Sequence, residues 1–478
     1  MASVGMRVDL SELVEAAAAA DASRLASVTR ELVHGKADID VLIGRVGMIA
    51  AHGDPEGHTV LTLTAASVLS RWLHAYDHLV GESLENRLRP LPLLVQALCA
   101  ASAAVRAGRD RQPTYPRPYY PSELPEGKSV GTLMREAIYH NQAELAERLL
   151  LGLYATGADY RTMQARTYEG LAMTFHQAGH PLMFAVRGYQ LLDPVEWGDR
   201  APNIIHWLAP HLPVSSEEPA WVGTVRDFIA QHQGDFELIR RRISPPRNER
   251  ALPLRGLLLS DAGPAQVCQA VHEALIQGAA SPRAVGSVIS LAAADILHQI
   301  GDEDRNAFIQ AAHGLLYAAA VRLVFAQVQD IEVVPLLFTS AVFVNELRKN
   351  LGLVSGQAQH SAPHMHVGGG LLAPALLETL QGELEARDLE GAYLAARRYL
   401  NLGYEPKPLF ATIGLVAAQA DAAADQGHTL QIVQAAGEEF MGWPSDLSET
   451  DLSVFLRAAL RAAALAPRNT LASDRQMG

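Results

Sequence analysis

The sequence predicts an all-α fold, and three observations carry that reading. Its segments are rich in Ala, Leu, Glu, Gln and Arg, residues that favour helices. Sustained alternation of Val, Ile and Thr, the mark of a half-buried strand, is scarce. The longest helix-like stretches also come in pairs, in one order and at a near-constant separation.

The pairs run as follows. "ELVHGKADIDVLIGRVGMIAA" from Glu31 matches "EALIQGAASPRAVGSVISLAA" from Glu273, and "HTVLTLTAASVLSRWL" from His58 matches "HGLLYAAAVRLVF" from His313. "LPLLVQALCAASAA" from Leu91 matches "VPLLFTSAVFVNEL" from Val334. "EAIYHNQAELAERLL" from Glu136 then matches "ELEARDLEGAYLAA" from Glu383. Last, "AGHPLMFAVRGYQLL" (Ala178 to Leu192) pairs with "DQGHTLQIVQAAGEEF" (Asp425 to Phe440), aligned on His180 and His428. The separations are 242, 255, 243, 247 and 248 residues.

Two breaks frame these segments. "DRQPTYPRPYYPSELPEGK" (Asp110 to Lys128) holds too much proline for a helix, and "RRRISPPRNER" (Arg240 to Arg250) divides the chain near its midpoint. The expectation is an internally duplicated helical protein. A first half over 1–243 and a second over 244–478 form one globular unit and pack about a central site. No period of 30–45 residues recurs, which argues against a solenoid.

Composition narrows the function classes. The chain has 478 residues, 49% of them apolar, enough for a large core. A net charge of −13 argues against nucleic acid as a partner. Two cysteines, Cys99 and Cys268, in apolar surroundings suit a reducing compartment. The N-terminal stretch lacks the pattern of a secretory signal, and no uninterrupted apolar run approaches the roughly 20 residues of a membrane span. These features lead to the expectation of a soluble, cytoplasmic protein.

Four of the 18 histidines stand out by position. His58 pairs with His313 and His180 with His428, each at or near the start of an apolar helix. Pro181 follows His180 and suits the first turn, so His180 falls at the cap. The positive end of a helix disfavours imidazolium, and a neutral imidazole is what a metal takes as ligand. If the halves pack about a pseudo-two-fold axis, the four rings converge on one point. Four imidazoles suit iron, copper, zinc or nickel. They leave the ion's charge uncompensated, so an anion nearby is expected, either Glu31 and Glu273 or an ionised substrate phenol. The other reading is a non-catalytic helical scaffold or interaction protein in which these histidines merely cap equivalent helices. "HSAPHMHVGGG" (His360, His364, His366) reads as a solvated loop or as a lid over a pocket.

Other chemistries lack their motifs. There is no strand–GxGxxG–helix unit, P-loop, GxSxG, HExxH or CxxC, so no flavin or nicotinamide site is expected. The Glu-x-x-His pattern of ferritin-like diiron proteins is also missing.

The run of "GHTVLTLTAASVLSRWL", "LPLLVQAL", "GHPLMFAVRGYQLLD", "HGLLYAAAVRLVF" and "DQGHTLQIVQAA" resembles the questin oxidase-like family. It also resembles related helical domains fused to Rieske modules in actinobacterial proteins. The resemblance implies a helical oxygenase with a mononuclear non-haem iron held by His58, His180, His313 and His428. The implied partners are O2 and a hydroxylated aromatic or polyketide-type substrate, with oxidative ring cleavage as the implied reaction. Glu31 and Glu273 are the acid/base or supporting candidates. Two departures stand out. No Rieske module is expected beside these helices: such a centre would have to claim both of the chain's cysteines, Cys99 and Cys268, which lie far apart in apolar surroundings. Ala318, Ala319 and Ala320 also occupy a stretch where some family members carry a polar residue or lysine, so no fifth ligand comes from there.

Overall fold

The computed structural model describes residues 9–76, 81, 83–241, 246–328, 330–355, 372–420, 425–445, 447 and 452–468. Among them every regular element is a helix, and the sole extended pairing is one bridge between Ala420 and Arg468. The all-α expectation holds. The His360–His366 loop lies outside the described residues, as do 242–245 of the basic stretch.

The first half carries α1 (Ser11–Ala19), α2 (Ala22–His34), α3 (Ile39–Ala51), α4 (His58–Leu73), α5 (Leu91–Ala100) and α6 (Ser102–Gly108). After the proline-rich stretch, which forms a single 3-10 turn at Pro121–Glu123, come α7 (Val130–Tyr139), α8 (Ala143–Ala155), α9 (Tyr160–Leu171) and α10 (His180–Gln190). The helices α11 (Ala201–Leu208) and α12 (Ala220–Arg241) lead to the midpoint. The second half carries α13 (Pro264–His272), α14 (Pro282–Gln299), α15 (Arg305–Gln327) and α16 (Pro335–Asn350). It ends with α17 (Ala373–Glu385), α18 (Leu389–Asn401), α19 (Pro406–Ala417), α20 (His428–Met441) and α21 (Ser453–Leu465).

Packing follows the same order in both halves. In the first, α3 packs on α4, α4 on α5, α7 on α8 and α9, and α9 on α10. In the second, α14 packs on α15, α15 on α16, α17 on α18 and α19, and α19 on α20. The halves also interlock, since α4 packs on α19 and α20, and α10 packs on α15.

Four helices form the centre: α4, α10, α15 and α20 pack in a closed ring. All four run in one direction. Their histidines meet at one end, and Arg187, Arg322, Glu438 and Glu439 meet further along. At that second level the Arg187–Glu438 ion pair measures 2.7 Å, and Arg322 binds Glu439.

One helix bears on the expectation about apolar runs, although His313 and Arg322 keep any uninterrupted run in it well short of 20 residues. α15 is long and apolar enough to cross a membrane. Its Arg322 interrupts no packing because Glu439 neutralises it inside the bundle, and the helix lies buried among α10, α14, α16 and α20. Burial on every side explains why its sequence is apolar all round.

Candidate metal centre

His58, His180 and His428 are each the first residue of their helix, and each follows a glycine in the left-handed region. The φ values of Gly57, Gly179 and Gly427 are 83°, 83° and 73°. These glycines are needed twice over. A Cβ on Gly57 would stand 2.7 Å from Phe184, one on Gly179 2.2 Å from Tyr317, and one on Gly427 1.9 Å from Thr62 Oγ1. The chain therefore turns sharply and packs tightly where each histidine leaves it.

Carboxylates fix two of these helix starts. Asp54 Oδ2 accepts the Val60 N–H at 2.9 Å. Asp425 Oδ1 accepts the Gly427 N–H at 2.8 Å, and its Oδ2 accepts the Thr429 N–H at 3.1 Å. Arg305 Nη2 reaches Asp425 Oδ2 at 3.1 Å, so this buried carboxylate is paired. The local likeness is therefore between Asp54…Gly57-His58-Thr59 and Asp425…Gly427-His428-Thr429. His313 differs from its expected partner His58. It is the ninth residue of α15, and that helix starts about two turns beyond the cluster.

The four rings converge. His58 Nε2 lies 3.2 Å from His180 Nε2, and His428 Nε2 lies 3.0 Å from His313 Nε2. The His180 and His313 ring centroids are 4.9 Å apart, and those of His58 and His428 are 5.8 Å apart. One nitrogen each from His58, His180 and His428 fits within 4.8 Å of the others. Two nitrogens bound to one ion at about 2.1 Å, with an angle of about 90–110°, stand roughly 3.0–3.4 Å apart. The two short separations match that range.

The outer nitrogens determine what the inner ones can do. His180 Nδ1 faces the Gln177 carbonyl, and His428 Nδ1 faces the Asp425 carbonyl at 2.5 Å. A carbonyl only accepts, so Nδ1 carries the proton and Nε2 presents a lone pair to the centre. The Ile309 carbonyl, one turn back in α15, partly offsets the lowering of His313, as the Glu56 backbone does for His58. The His58 Nδ1 contact falls short of a well-formed hydrogen bond.

Burial keeps these rings neutral. It is the first cause holding His58 down at about 3, reinforced by His180 and His428. Burial, then His428, His180 and His58, hold His313 at about 2. Burial also lowers His180 and His428. The Nε2 lone pairs of His180 and His428 thus face Nε2 of His58 and of His313, and His58, His180 and His428 together offer three nitrogens to one point. The donor set therefore fits a borderline transition metal.

Around the cluster, Phe184 meets His58 and His180 edge-on or tilted, with centroids at 5.9 and 5.4 Å. His211 packs on Phe184 at 4.8 Å, and burial brings it down to about 4. Tyr317, one turn after His313, seals the Gly179 turn. Asp54, Asp425, Arg305, Phe184, His211 and Tyr317 were not singled out from the sequence. The repeated Asp…Gly-His-Thr string was the available signal for the first two.

Glu31 and Glu273 do not reach this site. Both side chains are exposed, and Glu273 accepts a hydrogen bond from Gln269 at 2.8 Å on its own surface. The repeat pairing placed them beside the histidines in sequence order, but α2 and the turn after α13 present them to solvent. Ala318, Ala319 and Ala320 are buried and offer no ligand.

Comparison with known proteins returned no family model, no curated protein and no solved structure that matches the chain.

Proposed function

We propose that this chain is a metal-dependent oxygenase in which His58, His180, His313 and His428 hold one non-haem iron. The observation that carries this reading is the convergence of four imidazoles, with the Nε2 lone pairs of His180 and His428 turned inward and His58, His180 and His428 close enough to share one ion. Helix-capping histidines need no common focus, so the scaffold reading leaves this convergence without a cause.

Charge supports the substrate class. The ligand set is neutral, and α4, α10 and α20 direct their positive N-termini at the centre. An ion held there favours an anionic oxygen ligand, and a hydroxylated aromatic bound as its phenolate supplies one. Bound iron provides Lewis acidity and redox capacity toward O2. The chain's own part is to hold the imidazoles neutral and fixed in rotation through the Gln177 and Asp425 carbonyls. Phe184 and Tyr317 add apolar walls that exclude water. The resemblance to the questin oxidase-like family supports the aromatic substrate and ring cleavage.

The parallel helix order supports descent from one duplicated ancestor. Cys99 and Cys268, both unpaired, support a soluble protein of the reducing cytoplasm.

Metal analysis of purified protein, coupled to O2 uptake with hydroxylated anthraquinones, tests this reading. The expected result is about one iron per chain and uptake that depends on iron. A metal-free protein that cannot be loaded would return the chain to the scaffold reading.

A further inference from the structure

The far end of the central bundle holds a cleft of about 490 Å3, within the size range of small-molecule sites. Val68, Arg71 and Trp72 come to it from the end of α4, and His74 from the turn that follows. Gln190 from α10, Glu438 from α20, Glu405 and Lys407 also line it. Arg71 stands 13 residues beyond His58 on one helix, about 20 Å away. This is a site apart from the histidines, and nothing in it depends on a metal.

Its charges are unevenly satisfied. Glu438 is taken up on both oxygens, by Arg187 at 2.7 Å and by Gln190 and Gln434, each at 2.9 Å. Lys407 Nζ meets Glu405 Oε1 at 3.2 Å. Arg71 is different. Among the described residues it makes no hydrogen bond or ion pair, and only the more distant charges of Asp40 and Asp193 respond to it. Beside it lie Trp72 and Val68, an apolar wall.

We propose that this cleft binds a small organic carboxylate, with the carboxylate on the Arg71 guanidinium and the apolar body against Trp72 and Val68. A guanidinium fork matches a carboxylate through two parallel hydrogen bonds. The flanking carboxylates set the charge of the ligand. One unpaired cation balances a monoanion, whereas a phosphate dianion meets Glu405 and Glu438 with too little positive charge to offset them.

Calorimetric titration of the full chain with benzoate, acetate and inorganic phosphate tests the proposal. Benzoate should bind saturably and more tightly than acetate, since only benzoate uses the apolar wall. Arg71→Gln should weaken benzoate by about tenfold or more, as loss of a charge-assisted pair does. Lys407→Gln serves as a second variant and should change benzoate binding less. His180→Ala should leave benzoate binding unchanged, which separates this site from the metal reading. Absence of saturable benzoate binding, equal affinity in Arg71→Gln, or phosphate binding more tightly than benzoate would overturn it. Melting curves of both cleft variants should match the parent, because neither side chain is buried in the core.

Discussion

Gln190 Nε2 donates to Glu438 Oε1 at 2.9 Å, and each of these residues stands ten positions after the histidine that opens its helix. The residues that the 248-residue offset pairs therefore touch each other across the bundle. Gln434 joins them at 3.0 Å from Gln190, and Arg187 closes the group by donating to both Gln190 and Glu438. This layer ties α10 to α20 about 15 Å below the histidines.

Glu438→Ala should destabilise the fold by about 3–5 kcal/mol, because it leaves the Arg187 guanidinium buried and uncompensated. Arg187 and Glu438 side chains are only 7% and 9% exposed. Arg187→Met combined with Glu438→Leu should recover most of that loss. Denaturant titration of the three proteins checks this. Equal stability of Glu438→Ala and the parent would contradict the role of the layer.

The glycines give a sharper contrast. Gly179→Ala meets both an unfavourable φ and the Tyr317 ring, whereas Gly127→Ala has φ 76° with open space around it. Gly127→Ala should cost only the left-handed penalty of about 1 kcal/mol. Gly179→Ala should cost several times more and release the metal, since it moves His180 directly. Thermal melts and metal content of the two variants test the difference.

The histidines make the apo-protein sensitive to acid. An unfolded histidine titrates near 6.5, while His58 and His313 in the fold are held at about 3 and about 2. Between these values the unfolded chain binds protons that the folded chain refuses. Their contribution to stability is thus full above about 6.5 and is lost as pH falls toward 3. Glu439, raised to about 6 by burial, works in the opposite sense, since its contribution is lost as pH rises through that value. His313→Gln removes one histidine term and leaves Glu439 in place. Its melting temperature should fall less steeply than the parent's between pH 6.5 and 4. Identical slopes would refute the assignment.

The helical architecture was legible because helix-forming composition and paired segments recur along the whole chain. The four histidines were legible because three of them follow Gly at the foot of an apolar run, a local signature of a helix start. The equivalence drawn between His58 and His313 was not sound. Its 255-residue offset already departed from the others, and the structure puts His313 inside α15 rather than at its beginning. Glu31 and Glu273 failed for a related reason. A matching place in a repeat says nothing about which face of a helix turns inward. The Arg187–Gln190–Gln434–Glu438 layer was illegible, because it assembles from helices separated by about half the chain.

Replacing His180 or His428 with Ala should abolish metal binding while the helical circular dichroism signal persists. Both side chains lie at helix starts, where the Asp425 carboxylate and the left-handed glycines still direct the chain. Metal analysis and circular dichroism of the two variants check this. Retention of stoichiometric metal in either variant would remove that histidine from the ligand set.

X-ray absorption at the metal edge of the iron-loaded protein tests the central claim most directly. Four imidazole nitrogens at about 2.0–2.2 Å from a single iron, with the outer-shell pattern of four rings, are the predicted result. One or two imidazoles among oxygen ligands, or a spectrum unchanged by His313→Ala, would contradict it.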